Sequence, residues 1–177
     1  MLFFRRKNRI AILIDGPNIL RKEFSVDLGD LKKKVSEYGE IRIAKVFLNQ
    51  YAPEKLIEAV SNQGFEVVIG MSKVKDETAD VDVYMATEAM EIVHRKDIDI
   101  LAIATRDADF LPLVYRAKEH GKKVIVIGGE PAFSKALQHA ADYVIDIGKL
   151  HKVKKKGSKS KDKERKAKEE NRERRQG

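Results

Sequence analysis

Four aspartates and two neutral polar residues stand where this sequence could do chemistry. Asp15 and Asn18 follow the apolar run 9–14 through the turn Asp15-Gly16-Pro17-Asn18, and Thr105-Arg106-Asp107-Ala108-Asp109 follows the apolar run 98–104. Asp82 lies near the start of a third, helical segment, with Ala86, Ala89 and Val93 four, seven and eleven residues further on. That spacing puts Asp82 on the helix's core-facing stripe, where a charge needs a reason. In open α/β sheets, groups beyond the carboxyl ends of the strands surround the ligand crevice. If the strands are parallel, Asp15, Asp82, Asp107 and Asp109 therefore meet at one sheet edge, with Asn18 and Thr105 beside them. Carboxylates held that close repel one another unless a cation intervenes, and a hard, oxygen-loving Mg²⁺ or Mn²⁺ is the economical choice. Such an ion activates water and stabilises charge on a phosphodiester under attack, so metal-dependent phosphodiester hydrolysis is the leading chemistry. Plainer readings stand beside this one. Asp15-Gly16-Pro17-Asn18 is also good turn chemistry, and Asp109 ahead of Leu111-Pro112 fits a helix N-cap.

The elements that must position these residues alternate regularly. Strands are predicted over 9–14, 41–48, 65–69, 98–104, 123–127 and, as an edge strand, 143–147. Helices are predicted over 27–38, from Pro53 to Gly64, over 80–95, up to His120 and over 134–140, with Gly39, Gly64 and Gly121 as stops. Residues 71–79 read as a polar loop, long enough to be mobile or substrate-facing, that carries Lys75. Glu91 and Arg95 are spaced as a helix-surface pair. This alternation implies a parallel sheet with helices on both faces.

The 177 residues suffice for one core-bearing domain, and no apolar run approaches the ~20 residues needed to cross a bilayer. Cysteine is absent, which excludes disulfides and thiolate zinc sites and makes a cytoplasmic location the default. The four histidines share no metal-ligand spacing. The net charge of +8 is unevenly divided: residues 149–177 hold 14 basic and 5 acidic residues, 1–9 hold 4 basic ones, and 10–148 hold 18 basic against 23 acidic. An acidic globule (10–148) thus sits between a basic N-terminal segment (1–9) and a Lys/Arg-rich tail (149–177), which is expected to be disordered and suited to a polyanion. Lys154, Lys155 and Lys156 are its densest cluster.

Asp15-Gly-Pro-Asn18, Asp82-Val-Tyr-Met-Ala, Thr105-Arg-Asp107-Ala-Asp109-Phe110 and Ser134-Lys-Ala-Leu137…Ala141-Asp142-Tyr143 together resemble the NYN domain, a PIN-like fold, and most closely its LabA-like branch. The resemblance runs in order across about residues 10–147. It implies a three-layer Rossmann-like PIN-type α/β fold and a metal-dependent ribonuclease acting on RNA, with Asp15, Asp82, Asp107 and Asp109 as metal-site acids and Asn18 assisting. Two positions depart from the pattern. Arg106 stands where the family often has glycine, and could contact a phosphate or narrow the cleft. Ala79-Asp80-Val81-Asp82 stands where Lys-Gly-Val-Asp is usual, making Asp80 a fifth acid or a cap. Lys75 and Arg106 are candidate phosphate contacts, and Thr105 and Asp80 are supporting residues. DNA as a substrate and a homo-oligomer stay open. The alternative is a non-catalytic nucleic-acid-binding or regulatory module on the same fold. A phosphoacceptor domain fits worse, because the third predicted strand ends Ile69-Gly70-Met71 with no acid until Asp76.

Overall fold

The computed structural model describes residues 6–20, 26–71 and 79–150. Lys75, the loop that carries it, and Lys154, Lys155 and Lys156 lie outside the described residues, as does nearly all of the predicted tail.

β-Branched and other apolar residues fill the strands, and each strand is followed by a segment with helical spacing. The chain runs β1 (Arg9–Asp15), α1 (Gly16–Ile19), α2 (Leu28–Ser36), β2 (Glu40–Asn49), α3 (Glu54–Asn62), β3 (Glu66–Gly70), α4 (Ala79–His94) and β4 (Ile100–Ala104). A 3₁₀ turn over Ala108–Phe110 then leads to α5 (Leu111–Glu119), β5 (Lys123–Gly128), α6 (Lys135–Ala140) and β6 (Tyr143–Asp146). All the strand pairs are parallel, in the order β3-β2-β1-β4-β5-β6. The expected α/β architecture and its edge strand are therefore present. Boundaries differ by at most two residues, as fraying ends do.

The two central strands are buried almost throughout, so their sequences are continuous apolar runs with no alternation. Ala11, Leu13, Leu101, Ile103, Val124 and Val126 face the core shared with α4 and α5, where Met85, Ala89, Ile92 and Val114 meet them. Intervening residues such as Ile12, Ile14, Ala102 and Ile125 are equally buried and, by the period of two, turn to the opposite face. At the amino ends of the central pair, Arg9 Nε meets Asp99 Oδ2 at 3.0 Å and the Arg9 backbone N–H donates to the same oxygen at 2.8 Å.

Two local expectations are corrected. The helix-surface pair Glu91–Arg95 is replaced: Arg95 grips Asp97 in a fork, at 3.0 and 2.8 Å, because the helix ends at His94 and the chain turns back beneath it. Asp109 is not the cap of the following helix. That role falls to Asp107, whose carboxyl accepts from Asp109 N at 3.0 Å and opens the 3₁₀ turn, while Phe110 precedes α5 with no side-chain cap. The inserted turn moves the first unpaired N–H groups two residues upstream.

Candidate active site

The order of the sheet places the site. β1 and β4 are neighbours, and from their carboxyl ends the chain departs toward opposite sides, which leaves a crevice at this topological switch point. Ile14 pairs with Ala104, so Asp15 and Thr105 are the next residues on each strand, side by side. Both are fully buried.

Thr105 ties the two strand ends together. Its hydroxyl donates to Asp15 Oδ2 at 3.0 Å and accepts the Asp107 backbone N–H at 3.2 Å. The other Asp15 oxygen accepts from the Asn18 backbone N–H at 3.2 Å, so Asp15 is the N-cap of the short α1. The expected turn is thus one turn of helix, started by Pro17. Gly16 is required there: a Cβ would stand 2.5 Å from the Phe47 carbonyl oxygen and 2.4 Å from Leu48 Cδ2.

A Thr105→Val substitution keeps the shape and deletes both bonds of the hydroxyl. The expected loss is about 1–3 kcal/mol of stability, since Asp15 Oδ2 and the Asp107 N–H lose a partner at once. Urea unfolding measures it, and a change below about 0.5 kcal/mol would contradict the role given to the hydroxyl.

The remaining acids come from α4 and from the turn after β4. Asp82 lies one residue past the buried line Val81, Met85, Ala89, Ile92, at the margin of the core-facing stripe. Its Oδ1 is buried and has no hydrogen-bond partner among the described residues. Desolvation first, and then the charges of Asp15, Asp107 and Asp109, push its carboxyl up to about 7. Burial likewise pushes Asp15 up to about 6, against the hydrogen bonds from Thr105 and Asn18 that hold it down. Asp107 is half-buried and Asp109 is exposed at the mouth. The four acids named from the sequence are therefore close enough to repel one another. Asp80 falls in the first turn of α4, and its side chain lies outside the described residues.

Arg106 is half-buried, donating from Nε to Asn18 Oδ1 at 2.8 Å and from Nη1 to the Pro131 carbonyl at 2.6 Å. Sequence reasoning missed this link, and also a cleft of about 490 Å³ between α4 and α5, which Asp82 and Asp109 share with Ala86, Met90, Pro112 and Arg116. The signal for the cleft was present in the small and apolar residues spaced four apart on α4 beside Pro112.

The chain matches the NYN domain over residues 9–148. It belongs to the NYN-domain family. The NYN domain is a PIN-like, nuclease-type family whose members generally use divalent metals. An uncharacterized protein of Methanocaldococcus jannaschii, MJ0482, is 59% identical over 142 residues, which are 80% of this chain and 56% of that protein. The chain thus spans little more than half the length of this relative. Among solved structures, a protein of unknown function from Vibrio parahaemolyticus, VPA0982, superposes with a TM-score of 0.71 at 25% identity, over 82% of this chain and 96% of that one. No helix among the described residues of this NYN domain is long and apolar enough to cross a membrane.

The acids of the NYN domain fit a divalent ion in donor chemistry, being hard oxygen ligands with a buried, unpartnered oxygen among them. As they stand, no three Asp, Glu or His side chains among the described residues form a ready-made cage.

Proposed function

We propose that the chain is a Mg²⁺- or Mn²⁺-dependent endoribonuclease of the LabA-like branch, working in the cytoplasm, whose site is the carboxylate cluster between β1 and β4. The observation that carries this reading is the Asp82 carboxyl, half-buried beside three other acids with one buried oxygen unpartnered among the described residues. Burying such a charge without a counter-charge is unfavourable, and a cation relieves both the desolvation and the mutual repulsion. Asp15, Asp82, Asp107 and Asp109 would hold the ion. When bound, it supplies positive charge to the phosphodiester and activates water.

The chain's own residues prepare that chemistry. Thr105 holds the Asp15 carboxyl in one orientation, and the bond from Asp109 N does the same for Asp107. Asp109, exposed at the mouth, is the acid that substrate meets first. The basic ends, including Lys154, Lys155 and Lys156, would collect the phosphate backbone, and Lys75 would add a phosphate contact.

A second reading is favoured by the lack of a ready-made cage among the described residues: a nucleic-acid-binding module without catalysis. Titrating Mn²⁺ into the parent and into Asp107→Asn, then incubating each with mixed-structure RNA and with DNA, separates the two. The enzyme reading expects metal binding and cleavage by the parent. It expects both to fall at least about a hundredfold in the variant, with RNA still bound, because even outer-shell groups of metal sites are worth about 10–100-fold. Equal, background-level cleavage by both proteins would leave the binding module.

A further inference from the structure

Asn18 stands between Asp15 and the guanidinium of Arg106. Its backbone N–H donates to Asp15 Oδ1 and its side-chain oxygen accepts from Arg106 Nε at 2.8 Å, while its side-chain amide helps to hold the Asp15 carboxyl down. These bonds fix which end of the amide points where. A guanidinium has only donors, so the atom facing Arg106 is the oxygen. A carboxylate has only acceptors, so the end facing Asp15 is the NH₂.

The same polarity limits what Asn18 can ligate. Its oxygen already serves a cationic group, and a divalent ion drawn to that oxygen would meet the guanidinium's charge at short range. Arg106 is itself held from further points: Nη1 donates to the Pro131 carbonyl at 2.6 Å, and its own carbonyl accepts from Ser134 N at 3.2 Å. The guanidinium therefore braces the amide from the segment that follows β5.

We propose that Arg106 is a positioning residue: through Asn18 Oδ1 it fixes the amide with its NH₂ toward Asp15, making Asn18 a hydrogen-bond donor at the acidic cluster and not a metal ligand. Arg106 on this account acts through Asn18 and not as a phosphate contact. The inference rests on the metal-site reading of the acids in its metal arm alone.

The test has two arms. In NMR spectra of the parent, the Asn18 side-chain NH₂ signals, assigned by their loss in Asn18→Ala, are expected to be well dispersed and protected from exchange. In Arg106→Gly they are expected to collapse to the position of a free amide. Arg106→Lys keeps the charge and loses the planar fork, so it gives the same collapse and serves if the glycine variant does not fold. In the metal arm, Asn18→Ala is expected to lose clearly less Mn²⁺ affinity than Asp107→Asn, as removal of a group outside the ligand shell does.

Unchanged Asn18 NH₂ signals in the arginine variants would overturn the positioning role. A loss of Mn²⁺ affinity in Asn18→Ala equal to or greater than that in Asp107→Asn would overturn the donor assignment, making Asn18 a ligand. A parent that binds no Mn²⁺ removes the metal-site reading instead, and the amide signals then decide the role of Arg106 unaided.

Discussion

Replacing Asp82 by Asn is expected to make the metal-free protein more stable at neutral pH and to flatten its stability profile between about pH 4 and pH 7. The carboxyl is pushed up to about 7 in the folded chain, above the ordinary 3.8, by burial and by Asp15, Asp107 and Asp109. A raised acid pKa means that the folded state holds the proton more tightly than the unfolded one. Its contribution is therefore most favourable below about pH 4, and is lost as pH rises through the folded value near 7. Discounted for the solvent that reaches a half-buried group, the loss is about 2 kcal/mol. That corresponds to a Tm about 4–8 °C higher for the variant at pH 7.5. Thermal melts of both proteins at pH 4.5, 6 and 7.5 in chelator measure it. Adding Mn²⁺ should then raise the parent's Tm and leave the variant's nearly unchanged. If the parent's Tm instead climbs from pH 4.5 to 7.5 in chelator as steeply as the variant's, the Asp82 carboxyl is not strained by its neighbours. Asp99, held down to about 2 by Arg9, acts in the opposite direction and in a lower window, below about pH 4.

Truncation after residue 148 is expected to weaken RNA binding at 50 mM salt by about a hundredfold or more, and by much less at 200 mM. The removed segment carries 14 Lys/Arg against 5 Asp/Glu. Each phosphate that the shortened chain leaves unneutralised lowers the slope of log K against log salt by ~0.7 for a single strand, so about six such phosphates would remove about 4 from it. Fluorescence anisotropy over a salt series, in the presence of a chelator to prevent cleavage, reads both the affinity and the slope. Identical slopes for the full and shortened chains would mean that RNA is held by the domain alone. Residues 10–148 are net acidic, which makes the predicted difference large.

Much of the fold was legible because its signals are local and redundant. β1, β4 and β5 are uninterrupted apolar runs, and glycines at positive φ (Gly64 and Gly121) follow α3 and α5 as expected. The convergence of Asp15, Asp82, Asp107 and Asp109 was also readable, since a parallel sheet puts every strand's carboxyl end on one edge. What could not be read was which partner each polar atom takes. Whether Asp107 or Asp109 caps the next segment depends on a single 3₁₀ turn, a difference of two residues in where hydrogen bonding begins. The Arg106–Asn18 bond joins residues 88 apart, and in sequence Arg106 reads as a phosphate contact or as a group that narrows the cleft. Arg95 chose Asp97 over Glu91 for a similar reason, because the helix ended sooner than its charge spacing suggested.

The pairing of β1 with β4 also has a consequence for how the molecule comes into being. Arg9–Asp99 and Asp15–Thr105 each join residues 90 apart, at the two ends of the same strand pair. On the ribosome, β1, β2 and β3 can associate while the segment bearing Thr105, Asp107 and Asp109 has yet to be made. Closing so long a loop is entropically unfavourable before its contacts form, which places this seam late in folding and slows the whole reaction. The acids of the two half-sheets therefore stand apart until β4 docks on β1, and they become a cluster only with that seam.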